Sequence, residues 1–157
     1  MPKIDMSALP VRKGSSYPGK LAAQMGNRAQ ISLGAASGLT QFGVNLVTLG
    51  PGALSSLRHW HENQDEFLMV TQGVCTLIDD TGETDLHPGD CAAFPAGDPN
   101  GHHLINRTDA DATFVVVGTH TPTEVGHYSD VDLHVTSRNG VHSFTKRDGT
   151  PFDGDSE

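Results

Sequence analysis

From residue 39 onward the chain alternates apolar and polar positions in short runs, each closed by Gly or Pro. Phe42, Val44, Leu46 and Thr48 alternate with Gly43, Asn45, Val47 and Leu49, a period-two pattern that predicts a strand. Gly50-Pro51-Gly52 breaks it. In the next run Leu57, His59 and His61 share one face, while Arg58 and Trp60 share the other, because strand side chains alternate. Trp60 is thus predicted to point away from the histidines and to pack against a sheet or a second subunit. After the polar residues 62–65, Glu66, Leu68 and Val70 should face the same interior as the histidines. Further strands are predicted over 74–78, 83–87 and 91–94, with turns at 71–73, 79–82 and 88–90. Residues 113–117 are nearly all apolar, which predicts a last core strand covered on both faces. No segment between 39 and 119 carries a helical period. Short, regularly spaced strands joined by Gly/Pro turns predict an all-β sandwich or barrel.

The two ends read differently. Residues 1–38 are rich in Pro, Gly and Ser with little periodicity, and Tyr17-Pro18-Gly19 is a turn signal. An extended arm, disordered at its start, is expected there. Beyond residue 120, Val131, Leu133 and Val135 alternate with polar residues, and Asn139-Gly140 is a strong hairpin turn. Residues 141–146 would be the returning strand. Because a lone hairpin is marginal, it should pack on the barrel or on a partner subunit, with the acidic stretch from Phe152 frayed. The expected organisation is an arm over 1–38, a barrel over 39–120 and a C-terminal extension over 121–157.

At 157 residues the chain is long enough for one well-cored domain and short for two. Its formal net charge of -9 argues against a nucleic-acid partner, which needs a basic footprint. No run reaches the length of a membrane span, and the N-terminus has no apolar secretory block. Cys75 and Cys91 are expected to be buried, unpaired thiols, which together point to the cytoplasm.

The chemistry concentrates in His59-Trp60-His61 and Glu66. If the second run folds back beside the first, one carboxylate joins two imidazoles around one point, a donor set suited to zinc, iron, manganese or nickel. These residues extend into a pair of motifs. Gly52, His59, His61, Glu66 and Gly73 form the first; Gly89, Pro95, Gly97, His102 and Asn106 form the second. In both, the chain resembles a small single-domain cupin, with the short gap between motifs (74–88) found in small microbial members. Two departures fall at loops, where insertions are tolerated. Gly52 lies one residue further from its histidine than the common pattern, and the step from Gly97 to His102 is two residues longer. The second departure bears on which histidine is the fourth ligand. His102 and His103 face opposite sides of one strand, and His102 lies four residues before Asn106, as the family motif has it. The resemblance implies a double-stranded β-helix, or jelly-roll barrel, with a divalent metal in its mouth held by His59, His61, Glu66 and His102. Asn106 is expected to be structural, while His87, His120, His127, His134 and His142 read as surface residues.

Three imidazoles and one carboxylate on a divalent cation leave a net charge of about +1, which favours an anionic or oxygen-donor ligand. Cupins of this kind include sugar and sugar-phosphate isomerases and epimerases, dioxygenases, decarboxylases and proteins that only bind a small ligand. The expected function is therefore a metal-dependent enzyme of isomerase or dioxygenase type acting on a small oxygen-rich metabolite, the alternative being a non-catalytic binding or storage module. Asn63, Gln64 and Asp65 are expected at the pocket rim. Arg58 and Arg107 are the basic residues nearest the motifs, but Arg58 is predicted to face outward, so no phosphate clamp is evident. The family resemblance and the outward apolar positions Trp60, Phe67 and Met69 imply a homodimer.

Overall fold

The computed structural model describes residues 3–152 and 154. The start of the arm (residues 1 and 2), where disorder is expected, lies outside the described residues. From residue 3 the arm has regular elements, a single 3-10 turn followed by β1 (Arg12–Lys13), α1 (Lys20–Ala23), β2 (Arg28–Ser32) and α2 (Leu33–Ala36). The remaining strands are β3 (Phe42–Leu49), β4 (His59–His61), β5 (Glu66–Gln72), β6 (Cys75–Asp79), β7 (Gly82–Leu86), β8 (Cys91–Phe94), β9 (His103–Ile105), β10 (Ala112–Thr119), β11 (Thr123–Tyr128), β12 (His134–Arg138) and β13 (Val141–Thr145). Antiparallel pairing makes one sheet in the order β1-β2-β3-β10-β5-β8 and two smaller ones, β13-β12-β11-β4 and β7-β6-β9. A bridge between His59 and His102 joins the smaller sheets edge to edge. The fold is the all-β cupin barrel that the alternation and the motifs imply.

The main core lies between these layers. Val47 and Leu49 from β3, Leu68 and Val70 from β5, and Phe114 from β10 meet Cys75, Leu86 and Leu104 from the small sheets. Burial of such side chains is the main stabilising term, on the order of 2 kcal/mol each. A second core joins the two ends of the chain: Leu21 and Met25 of the arm pack with Leu57, Tyr128 and Leu133, flanked by Tyr17 and Phe144. The arm is therefore built into the domain by strand pairing and by this cluster. The tail hairpin turns at Asn139-Gly140, both with positive φ (49° and 80°), the backbone that a two-residue hairpin requires. Gly73 is needed on two grounds. Its φ is 69°, and a Cβ there would sit 2.6 Å from the Asp111 carbonyl oxygen.

Three expectations need correcting. Residues Val115 and Val117 on the outer face of β10 are only half-buried, so that strand is not covered on both sides within one chain. Cys91 is exposed on the outer sheet face, whereas Cys75 is buried. Trp60 belongs to the β4 sheet and stacks on His127 with ring centroids 4.1 Å apart, so it does not share a patch with Phe67 and Met69 on β5.

Candidate metal centre

His59 and His61 project from one face of the three-residue strand β4, and Glu66 enters from the first position of β5, after a turn held by a buried carboxylate. Glu124 of β11 accepts hydrogen bonds from the backbone N–H of Glu62 (2.8 Å) and of Asn63 (3.0 Å). That turn reverses the chain, and one donor atom each from His59, His61 and Glu66 lies within 4.8 Å of the other two. Nε2 of His59 is 3.2 Å from Nε2 of His61, and Nε2 of His61 is 3.8 Å from a Glu66 carboxylate oxygen.

The protonation pattern follows from the partners. Nδ1 of His59 lies 2.9 Å from the Leu57 carbonyl, which can only accept, so Nδ1 carries the proton and Nε2 presents a lone pair. Burial pushes His59 down to about 4, with His61 and His102 adding to the effect and Glu66 and the Leu57 carbonyl opposing it. For Glu66, burial acts to raise the pKa. The hydrogen bond from His102 and the surrounding imidazoles outweigh it, and the carboxyl is held below its ordinary value. The back of His61 is orphaned: its buried Nδ1 has no hydrogen-bond partner among the described residues and faces Glu124 Oε1 at 3.6 Å. A histidine of a metal site commonly directs its second nitrogen at a carboxylate. The residues present thus fit a divalent transition cation: two imidazole lone pairs and an ionised carboxylate converge, and no positive side chain shares the point.

His102 lies beside this group. Its Nε2 is 3.3 Å from Glu66 Oε1, and its ring stacks on Phe94 with parallel planes 2° apart. It is buried, but its nitrogen does not join the mutual cluster of His59, His61 and Glu66. His103 also lines the cavity, with its Nδ1 donating to the Ser56 carbonyl at 3.0 Å. Asn106 is a scaffold residue. Fully buried, its amide N–H groups donate to Leu49 O (2.8 Å) and Ala110 O (2.7 Å), and its Oδ1 accepts from Thr108 N at 2.9 Å. Gly97 donates its N–H to the His61 carbonyl at 2.8 Å, which ties the second motif to the first.

The group opens into a cavity of about 300 Å³ lined also by Arg28, Gln30, Asn45, Gln64 and His120. Several of these correct the sequence reading. His120 is not merely a surface residue: it stands at the cavity's mouth, its Nδ1 donating to Thr40 O at 3.0 Å. Asp65 does not line the cavity but accepts from Ala96 N at 2.8 Å, and Asn63 is exposed. Arg58 does face outward, paired with Asp130 and Asp80, and Arg107 pairs with Glu83. The basic residue that lines the cavity is Arg28, in the arm. Neither Arg28 nor Glu124 stands in a recognisable motif, so only the tertiary fold discloses them.

Comparison with known proteins places this geometry. A cupin domain profile matches residues 45–118. No match was found among curated protein sequences. A solved structure described as a sugar phosphate isomerase of the cupin superfamily from Silicibacter pomeroyi is 59% identical, covers 96% of each chain and superposes with a TM-score of 0.94. A provisional sugar phosphate isomerase from Acidithiobacillus ferrooxidans is 25% identical over 90% of this chain and 89% of that one, with a TM-score of 0.76. A predicted oxalate decarboxylase from Thermotoga maritima, 18% identical over 76% of this chain and 99% of that one with a TM-score of 0.61, shares the fold. With a relative of such identity along nearly its whole length, the chain belongs to the cupin superfamily.

Proposed function

We propose that the protein is a metal-dependent isomerase acting on a small phosphorylated sugar, with His59, His61, Glu66 and His102 holding the metal. The observation that carries this reading is the 59% identity to a structure described as a sugar phosphate isomerase, in a chain whose two imidazoles and one carboxylate converge in a polar cavity. A bound divalent cation, whether zinc, iron, manganese or nickel, would polarise a carbonyl and make the adjacent C–H acidic. The chain's own groups do the rest. His59, fixed by the Leu57 carbonyl, and Glu66, ionised by its imidazole neighbours, hold the donor side rigid. Gln64, whose amide donates to Thr121 Oγ1 at 3.2 Å, offers a carbonyl oxygen to sugar hydroxyls. His120, with its proton on Nδ1, presents a basic Nε2 at the mouth and is the group placed to move a proton between substrate and water.

We place the protein in the cytoplasm, on its two unpaired cysteines, and read it as a homodimer joined through the outer face of the large sheet. No helix among the described residues is long and apolar enough to cross a membrane.

The test is elemental analysis of protein purified without added metal, followed by NMR of aldose and ketose phosphates incubated with it. Near-stoichiometric metal and interconversion of one pair are expected. Metal should be lost in His59→Ala and His102→Ala and kept in His103→Ala. Loss in His103→Ala alone would overturn the ligand set. A metal-loaded protein that binds sugar phosphates without converting them is a binding module, and one that consumes oxygen with its substrate is of dioxygenase type; either result would overturn the isomerase reading.

A further inference from the structure

Arg28 is a cation without a counter-charge. In the pairing of β2 with β3, Arg28 lies opposite Leu49, Gln30 opposite Val47 and Ser32 opposite Asn45. Directly paired residues share a face, and Val47 and Leu49 are buried in the core, so Arg28 and Gln30 point into the barrel. The guanidinium donates to three oxygens: Ser55 O at 2.7 Å, Gly14 O at 3.2 Å and Gln30 Oε1 at 2.8 Å. All three are uncharged. Two of its five N–H groups are left over, and no carboxylate among the described residues lies within 4.0 Å. Arg58 and Arg107, nearer solvent, do have carboxylate partners. The cost of desolvating Arg28 shows as a lowered pKa, from burial first and from Arg12 second.

The cavity wall deepens the contrast. The chain carries a formal charge of -9, yet Glu66 is the one carboxylate among the described residues that line the cavity, and it is engaged by His102. A half-buried, unpaired cation is costly unless something negative reaches it. Three carbonyl and amide bonds would explain an arginine that only ties the arm down. They do not explain the absence of acid from its side of the cavity in so acidic a protein.

We propose that Arg28 and the adjacent amide of Asn45 form an anion subsite that takes the oxyanion end of the ligand, phosphate or carboxylate, while its hydroxyl or carbonyl oxygens reach His59, His61 and Glu66. Arg28 orients the ligand and sets its charge; it is a specificity residue, since the reacting atoms lie at the other group. The proposal deepens the isomerase reading and rests on it only in that a small polar molecule occupies the cavity. Gln30 positions both: its amide donates to Asn45 Oδ1 at 3.0 Å and to Ser32 Oγ at 3.2 Å, while its oxygen accepts from Arg28.

The experiment is calorimetric titration of the full chain, stripped of metal with chelator, with inorganic phosphate and separately with acetate. Removing the metal separates binding at Arg28 from direct coordination. Wild type is expected to bind at least one anion; phosphate alone assigns a phosphorylated ligand, and acetate alone a carboxylated one. Arg28→Gln should weaken binding by about tenfold or more, the range of a charge-assisted hydrogen bond. Asn45→Asp should weaken it similarly, since it keeps an acceptor for Gln30 and all the Arg28 bonds but adds negative charge, and it decides the matter if Arg28→Gln fails to fold. Neither anion binding to wild type, or unchanged affinity in the folded variants, would overturn the subsite. The isomerase reading stands or falls apart from this. Turnover with KM for a sugar phosphate unchanged in Asn45→Asp would retain the enzyme and reject the subsite. Anion binding lost in the variants, with no turnover by wild type, would do the reverse.

Discussion

At the residue scale, the site is held by neighbours that fix which nitrogen is free. The Leu57 carbonyl accepts a hydrogen bond from His59 Nδ1–H, and Glu124 holds the turn that brings Glu66 back while facing the rear of His61. Such an arrangement has a cost when metal is absent, because burial disfavours protonating His59. Its pKa falls from 6.5 to about 4 in the folded chain. Between those values the unfolded chain takes up a proton that the folded chain refuses, so stability is complete above 6.5 and declines as pH falls toward 4. The depressed Glu66 carboxyl acts in the same direction at lower pH. Metal-free protein should therefore lose on the order of 3 kcal/mol of unfolding free energy between pH 6.5 and 4 by urea denaturation, and His59→Gln should flatten that slope. An equal slope in the variant would show that another group carries the dependence.

At the element scale, the strands that sequence made legible are those whose inward positions are apolar. Leu68 and Val70 on β5, or Phe114 and Val116 on β10, alternate as a strand over a core must. Two strands were hidden for the opposite reason. In β2 the inward residues are Arg28, Gln30 and Ser32, and in β11 they include the buried Glu124. Both line or support a polar site, so their alternation is inverted, and local pattern fails where function overrides it. The His-x-His pair and Glu66 could be read because a strand's parity and a short turn suffice to bring them together. Arg28 could not, because only the pairing of β2 with β3 turns it inward. Asn106 illustrates the scaffold that a motif can conceal. Its side chain joins the end of β3 to the loop between β9 and β10 through bonds to Leu49 and Ala110. Asn106→Ala strands the buried Leu49 carbonyl and the Thr108 N–H, whereas the exposed Ala110 carbonyl keeps the Thr108 hydroxyl, and should cost about 2 kcal/mol. The check is chemical denaturation beside elemental analysis: folded Asn106→Ala should still load metal, and selective loss of metal at unchanged stability would make Asn106 part of the site.

At the scale of the whole molecule, the large sheet has one face on the core and one face without a cover. Phe42, Phe67 and Met69 are 39%, 44% and 38% exposed, and beside them lie the half-buried Val44, Leu46, Val115 and Val117. All project from the outer sides of β3, β10 and β5, whose pairing sets them in adjoining rows. An acidic chain stays soluble by charge repulsion, yet none of these seven positions carries a charge to repel a second copy, and we propose that this apolar surface is an interface between two copies. A two-fold dimer lays identical patches against each other, which here would cover the second side of β10 and supply the burial that its apolar sequence anticipates. Light scattering at micromolar concentration should give about twice 16.7 kDa. Because Phe67 and Met69 are exposed in one chain, replacing both by lysine spares the barrel core and sets like charges across the two-fold; the double variant should be a folded monomer that still loads metal. A monomeric wild type would remove the dimer and leave the outer face to another partner. A variant that stays dimeric would move the interface elsewhere, with the β4 sheet and its Trp60–His127 stack as the next surface to probe.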